Sequence, residues 1–358
     1  MIDRRRFLGG TLALGLAPLT GAGATSGLEV TGRWPTGNRR LAPPSLVDGQ
    51  VLYAGDATLG RLDPARAQPL WSTPHRLPGA AVFRPRGDGD RVIAGSLGQL
   101  AAWRPGIDAA RWRYTAQTQI GTPCLAGNQL YFGDGHELLA FDANSGAIHW
   151  RFAAIADTRI SYAPVLAGAT LFVGPGDGRL YALDRADGQP RWVVERMAEW
   201  QYLRQLLLSG DVLVAGGYKE KLYGLNLVDG RQRWTFSAGN FINSQHVADG
   251  VAYLWSPTGW LYAIDTDSGA VRWRQRTSDY RGGAADWAAV LAELVTADGK
   301  LYALDLASVL HVLAVDNGAE IARVRLPEAV QPWLLPLPGG ELLFGSRDGV
   351  LFAARLSG

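Results

Sequence analysis

The chemistry legible in this sequence belongs to side chains that hold things rather than to side chains that attack them. Arg159, Trp200, Arg204, Asn243, Arg281, Asp286 and Trp287 bring guanidinium forks, an amide, a carboxylate and two indoles. Those residue types grip polar ligands and partner surfaces. Reactive signatures are missing from the chain. There is no His-Glu-x-x-His, no Gly-x-Ser-x-Gly and no glycine-rich loop followed by Lys, so metallopeptidase, nucleophile-elbow and P-loop chemistries lack their residues. The run "GPGDG" at 174–178 stands between two strand-like segments and reads as a hairpin turn. The five histidines, at 75, 136, 149, 246 and 311, are scattered. The single cysteine, Cys124, excludes an internal disulfide and any Cys-x-x-Cys site, and reads as a small buried strand residue.

What positions the seven candidates is a repeat. Trp71, Trp112, Trp150, Trp192, Trp234 and Trp273 recur at steps of 41, 38, 42, 42 and 39 residues. Eight residues before the Trp stands Asp63, Asp142, Asp184 or Asp265, with Asn226 as a variant; four before it stands Gly146, Gly188, Gly230 or Gly269. Asp or Asn followed by Gly makes a tight turn, because the side chain accepts turn N–H groups and Gly adopts positive φ. The Trp supplies a broad ring to pack between neighbouring repeats, with an N–H that needs a partner. A second hairpin precedes each of these, as in "APVLAGATLFVG" (163–174) and "HVADGVAYLW" (246–255). One repeat is therefore four antiparallel strands, and a period near 40 of such units predicts an all-β propeller.

The blade count follows from the ends. A seventh unit, "LHVLAVDNGAEIARV" (310–324), keeps Asp316 and Gly318 and has Ile321 near the Trp position. An eighth, 332–356, has only three strands. The segment "LEVTGRW" (28–34) carries Trp34 but no upstream hairpin. Pairing it with the last three strands closes an eight-bladed ring and leaves no open sheet edge. Seven blades is the alternative count.

The candidates all lie in the connections from one repeat's Trp to the next repeat, which emerge on one face of such a ring. From each Trp to the Gly of the next turn the distance is 15, 18, 18 and 16 residues, and then 26 after Trp273. The connection 274–293 is thus an insertion. Long loops on a rigid scaffold are where function concentrates. It reads either as a binding lid over the channel mouth or as a plug.

The motif Ala-x-Asp-x-x-x-Gly-x-x-x-Trp, at Ala140–Trp150, Ala182–Trp192 and Ala263–Trp273, resembles the tryptophan-docking repeat of the PQQ-like propeller family. The resemblance spans nearly the whole chain after residue 24. It implies docking roles for Trp34, Trp71, Trp112, Trp150, Trp192, Trp234 and Trp273. It leaves function open, since one fold hosts many activities. The family includes noncatalytic, BamB-like subunits of the outer-membrane β-barrel assembly machinery. It also includes quinoprotein dehydrogenases. These hold PQQ with cationic side chains over a Trp platform, bind Ca²⁺ through oxygen ligands, use an Asp base and often stack a vicinal disulfide on the quinone. One cysteine cannot make that disulfide, and this chain is shorter than the family's alcohol dehydrogenases.

Residues 1–24 read as an export signal: Arg4-Arg5-Arg6, the weakly apolar run Phe7–Leu19, and a small-residue cleavage site at Ala22-Gly23-Ala24. "DRRRFLGG" resembles a twin-arginine signal, which implies periplasmic or secreted localisation of an already folded protein. The segment 25–358 is then one propeller domain. It carries 32 basic and 32 acidic residues, a balance that argues against nucleic-acid binding. No stretch is long enough for a transmembrane helix. The expectation is a monomeric binding scaffold for a periplasmic protein or a small ligand. The alternative is a small periplasmic oxidoreductase, quinone-dependent or not, or another enzyme, with its site at the channel mouth under 274–293.

Overall fold

The computed structural model describes residues 27–357 apart from 67, 156–157, 197–202, 218–220, 240–243, 257 and 278–292, and only the backbone of 203, 204 and 217. Residues 1–24, read from the sequence as an export signal, fall outside these residues. The described chain is built from eight four-stranded antiparallel sheets and contains no helix. Seven blades are sequential meanders, at 45–74, 86–115, 124–153, 165–195, 203–237, 244–276 and 294–325. The eighth consists of Val330–Leu337, Glu341–Ser346 and Val350–Leu356, and Leu28–Pro35 completes it as the outermost strand. Leu28 faces Leu356 and Trp34 faces Leu351 in that pairing. The eight-bladed ring closed by its N-terminal strand is the architecture expected, and seven blades is ruled out.

Burial follows from the layout. Both faces of a middle strand pack against neighbouring blades, so these strands are apolar almost throughout. Leu138–Phe141 and Leu222–Leu225 are buried at every position. Outermost strands keep an alternation; in Val271–Arg276 only Trp273 is fully buried. The core is accordingly split into eight clusters, each shared by two adjacent blades. One joins Phe83, Ile93 and Trp112 of blade two to Phe132 and Phe141 of blade three. The last joins Trp34 and Leu343 of blade eight to Val51 and Tyr53 of blade one.

The indoles tie these interfaces. Trp112, Trp150, Trp192, Trp234 and Trp273 donate Nε1–H to the carbonyl oxygens of Ala143 (2.9 Å), Arg185 (3.0 Å), Leu227 (3.2 Å), Thr266 (2.7 Å) and Val315 (2.7 Å) in the following blade. Trp34 donates to Arg66 O at 2.7 Å across the closing interface. In the turn, Asp142 Oδ1 accepts the N–H groups of Asn144 and Ser145, and Asp265 Oδ1 those of Asp267 and Ser268. The turn glycine also makes room for the preceding blade's indole. A Cβ at Gly146, Gly188, Gly269 or Gly318 would stand 2.4 to 2.8 Å from ring atoms of Trp112, Trp150, Trp234 or Trp273.

Two units depart from the pattern. In blade seven the turn residue equivalent to Asp265 is Ala314: Gly318 N–H bonds to Ala314 O as Gly269 N–H bonds to Asp265 O. Asp316 therefore stands two residues beyond the repeat position. Ala322, paired with Val312, takes the Trp position, while Ile321 is exposed. In blade two the turn has Arg104 and Pro105 instead of the acidic signature. Trp71 meets it loosely: a Cβ at Gly106 would stand 3.9 Å from Trp71, and Trp71 has no Nε1 hydrogen bond among the described residues.

Candidate functional site

The connections between blades emerge on the same face as the turns between the second and third strands. Several of those turns hold the connections down. Asp134, in the turn of blade three, accepts Tyr114 Oη–H (2.7 Å), Gln117 N–H (2.7 Å), Thr118 N–H (2.9 Å) and Thr118 Oγ–H (3.0 Å). Burial pushes its carboxyl up, but the N–H donors of Gln117 and Thr118 more than reverse this and hold it below the usual range. The Tyr114 hydroxyl is raised by burial and by the adjacent carboxylate. In blade four, Asp177 likewise accepts Tyr181 Oη–H at 2.7 Å.

Of the seven sequence-derived candidates, only Arg159 is described in full. Its guanidinium donates to Gln119 Oε1, so it links two adjacent connections on the exposed rim. Arg204 belongs to the strand Leu203–Ser209 of blade five, with its side chain outside the described residues. Trp200, Asn243, Arg281, Asp286 and Trp287 lie outside them altogether.

The channel mouth holds a pair the sequence reading did not single out. Arg84 precedes the innermost strand of blade two; Glu293 precedes that of blade seven. Arg84 Nη2 and Glu293 Oε1 are 2.6 Å apart. Blades eight and one lie between their owners, so the two can meet only at the ring's inner edge. Arg84 also donates to Pro44 O, at the entry to blade one. Glu293 Oε2 accepts Leu334 N–H of blade eight at 3.3 Å. Four blades are thereby joined through one ion pair. Burial raises the Glu293 carboxyl, and Arg84 opposes this only in part. Arg86, two residues on, is depressed by burial and by the nearby Arg84 charge, and its Nε is buried without a hydrogen-bond partner. Two charges just before innermost strands were the available signal. Nothing in a sequence separation of 209 residues said that they would pair.

Cys124 is half-buried beside Tyr131 and Trp150. Burial raises its thiol, with the Arg86 and Arg185 charges pulling the other way.

The quinoprotein resemblance implies a PQQ and Ca²⁺ site, and the described residues do not fit one. No group of three or more His, Cys, Asp or Glu that could hold a metal occurs among them. The Arg84 guanidinium at the channel mouth is already engaged by Glu293 and Pro44. No helix among the described residues is long and apolar enough to cross a membrane.

A family model described as "Outer membrane protein assembly factor BamB" matches residues 98–238 and 205–331. No curated protein matches the sequence. Among solved structures, BamB from Moraxella catarrhalis superposes with a TM-score of 0.70 at 19% identity, over 92% of this chain and 99% of that one. The computationally designed Ika8 protein gives 0.74 at 13% identity, over 89% and 98%. Quinohemoprotein alcohol dehydrogenase from Comamonas testosteroni gives 0.70 at 12% identity, over 91% of this chain and 76% of that one. At such identities these structures share the fold with this chain.

Proposed function

We propose, from the premise that the chain belongs to the family of the outer membrane protein assembly factor BamB, that it is an exported, monomeric binding scaffold. In this reading it works in the periplasm or outside the cell, exported by the signal at 1–24. It engages a protein partner or a small ligand through the face that carries the interblade connections. The observation that carries the reading is the Arg84–Glu293 bridge. Arg84 and Glu293 are tied up in joining blades seven, eight, one and two. A channel braced in this way suits a rigid platform whose rim does the binding, since binding residues concentrate on loops held by a stiff framework. The rim candidates are Arg159, Trp200, Arg204, Asn243, Arg281, Asp286 and Trp287.

The test is native mass spectrometry of protein purified from its own export compartment. A co-purifying protein, lost when Asp279–Trp287 is replaced by a short Gly-Ser turn, supports the scaffold. A tightly bound redox-active small molecule with no protein partner overturns it in favour of an oxidoreductase.

A further inference from the structure

One cavity on the connection face has two arginines and no carboxylate in its lining. It has a volume of about 230 Å³ and is lined by Arg40, Leu306, Val330, Gln331, Pro332 and Arg347. Leu306 and Arg347 come from the turns between the second and third strands of blades seven and eight. Val330, Gln331 and Pro332 open the innermost strand of blade eight. Arg40 lies in the connection from the closing strand to blade one. The site thus forms where the two chain ends are joined, and no other interblade seam has the same connectivity.

Its backbone is fixed. Asp56 Oδ1 accepts the N–H groups of Arg39 (2.7 Å) and Arg40 (3.2 Å), and Asp56 N–H returns a bond to Arg40 O (3.1 Å). Thr36 Oγ–H bonds to Gly349 O at 2.7 Å, which presses this connection onto the blade-eight turn. Arg347 N–H bonds to Ala329 O at 3.1 Å. The strand Val330–Leu337 is irregular here: between the pairs Val330–Ser346 and Leu334–Phe344, three of its residues oppose one. That bulge turns Gln331 and Pro332 into the cavity wall, in line with the way bulges re-aim side chains.

Neither Arg40 nor Arg347 has an ion pair or a side-chain hydrogen bond among the described residues. Several other exposed arginines are paired close by, as Arg33 is with Glu328, Arg191 with Asp184 and Arg272 with Asp265. The carboxylates next in sequence to the lining residues, and the one that holds the Arg40 backbone, have partners of their own. Asp56 holds backbone N–H groups, Asp305 holds those of Ala307 and Val309, Glu328 holds Arg33, and Asp348 accepts Ser346 Oγ–H. Two arginines without a side-chain partner among the described residues share this lining with Leu306, Val330 and Pro332, a combination suited to a compact anion with an apolar body.

We infer that this cavity binds a carboxylate borne next to a small aliphatic group, with Arg40 and Arg347 gripping the carboxylate and Leu306, Val330 and Pro332 receiving the aliphatic part. Arginine suits a planar carboxylate because its fork donates two parallel N–H groups. The volume lies below the roughly 300–1,000 Å³ of drug-sized pockets, so the group is about the size of one amino-acid residue. The same chemistry is offered by a free small acid and by the C-terminal residue of a peptide. The inference does not depend on the scaffold reading, since either a scaffold or an enzyme can carry such a site.

The experiment is titration calorimetry at low salt with N-acetyl-L-leucine, N-acetyl-L-leucinamide and a hexapeptide ending in a free leucine carboxylate. The acid is expected to bind, and the amide at least about tenfold more weakly, because removing the charge removes the charge-assisted hydrogen bonds. The Arg40→Gln/Arg347→Gln double variant should lose about tenfold or more for the acid with an unchanged melting point, since both side chains are exposed and unpaired. Tighter binding of the hexapeptide than of the acetylated acid assigns the site to peptide C-termini; binding of the acid alone assigns it to small acids. Equal affinity for acid and amide, an unaffected double variant, or no binding of either anion at about 10 mM, well above a millimolar dissociation constant, overturns the inference.

Discussion

Arg84 and Glu293 meet at 2.6 Å although two whole blades separate the strands they precede. Each also bonds to the main chain of one of those intervening blades. Arg84→Ala would leave a desolvated carboxylate without its countercharge. Breaking one side of a well-buried pair costs about 3–5 kcal/mol. Both side chains here keep about a quarter of their exposure, so solvent screening reduces the expected loss to about 2 kcal/mol. Urea unfolding at neutral pH measures it, and a change within a few tenths would make the bridge incidental.

The same pair predicts a pH dependence with a definite sign. Burial raises the Glu293 carboxyl in the folded state. A raised acid contributes stability that is fully present below the ordinary Glu value of about 4.3 and is lost as pH rises through the higher folded value. Wild type minus Glu293→Gln should therefore become less favourable from about pH 4 upward. Parallel denaturation curves of the two proteins across that range give the difference. A flat or rising difference contradicts the assignment.

Asp134 works in the opposite direction. Burial pushes it up, yet the hydrogen bonds from Gln117, Thr118 and Tyr114 leave its carboxyl depressed. Its stabilisation is present above the ordinary Asp value and fades as pH falls through the depressed one. Asp134→Ala leaves several donors without an acceptor, at about 1–3 kcal/mol for each buried group left unsatisfied. Water reaching the connection replaces some of these bonds. The expected cost is about 3 kcal/mol near neutral pH, narrowing in acid. Thermal melts of the variant at two pH values provide the check.

Gly269 and Gly299 separate two roles of a turn glycine. Their φ angles are nearly equal, 73° and 70°. A Cβ at Gly299 meets nothing within 4 Å, whereas one at Gly269 would stand 2.6 Å from Trp234. Gly299→Ala should cost only the left-handed strain, about 1–2 kcal/mol. Gly269→Ala adds overpacking of about 1–3 kcal/mol and should weaken the Trp234–Thr266 bond. Equal losses in the two variants would show that the indole adjusts freely.

These residues also mark what the sequence made legible. The Asp, Gly and Trp of the repeat sit within one hairpin, so spacing alone reported the turn and the blade. The orphan strand at 28–34 gave the closure because a propeller cannot tolerate an unpaired edge. Where the Trp is absent the register blurs. Ala314 and Ala322 hold the repeat positions of blade seven, but Asp316 and Ile321 drew the eye because they look more like the consensus. The second role of Gly269 was hidden because its indole belongs to the previous blade. Arg84, Glu293, Arg40 and Arg347 carry no periodicity. Their proximity is created by ring closure, which brings distant segments together without leaving a local signal. The candidates at 200, 243, 281, 286 and 287 stand as proposals, because they fall outside the described residues.

Ring closure gives the last prediction. Leu28–Pro35 supplies the outermost strand of blade eight, pairing with Val350–Leu356 along its length. It also places Trp34, only 3% exposed, between blades eight and one, with Nε1–H on Arg66 O. A protein truncated to begin at Thr36 would lose that indole and every bond of the ladder. Deleting one large buried aromatic alone costs about 3–5 kcal/mol. The strand Val350–Leu356 would then present an unpaired apolar edge, a template for association with other chains. The truncated protein should melt well below wild type and form concentration-dependent aggregates in light scattering. Adding a synthetic peptide of residues 27–36 should restore part of the melting temperature by re-occupying the edge, because a ligand that binds only the folded state stabilises it by mass action. A truncated protein that stays monomeric with an unchanged melting point would mean that blade eight holds with three strands and that the N-terminal strand is not what closes the ring.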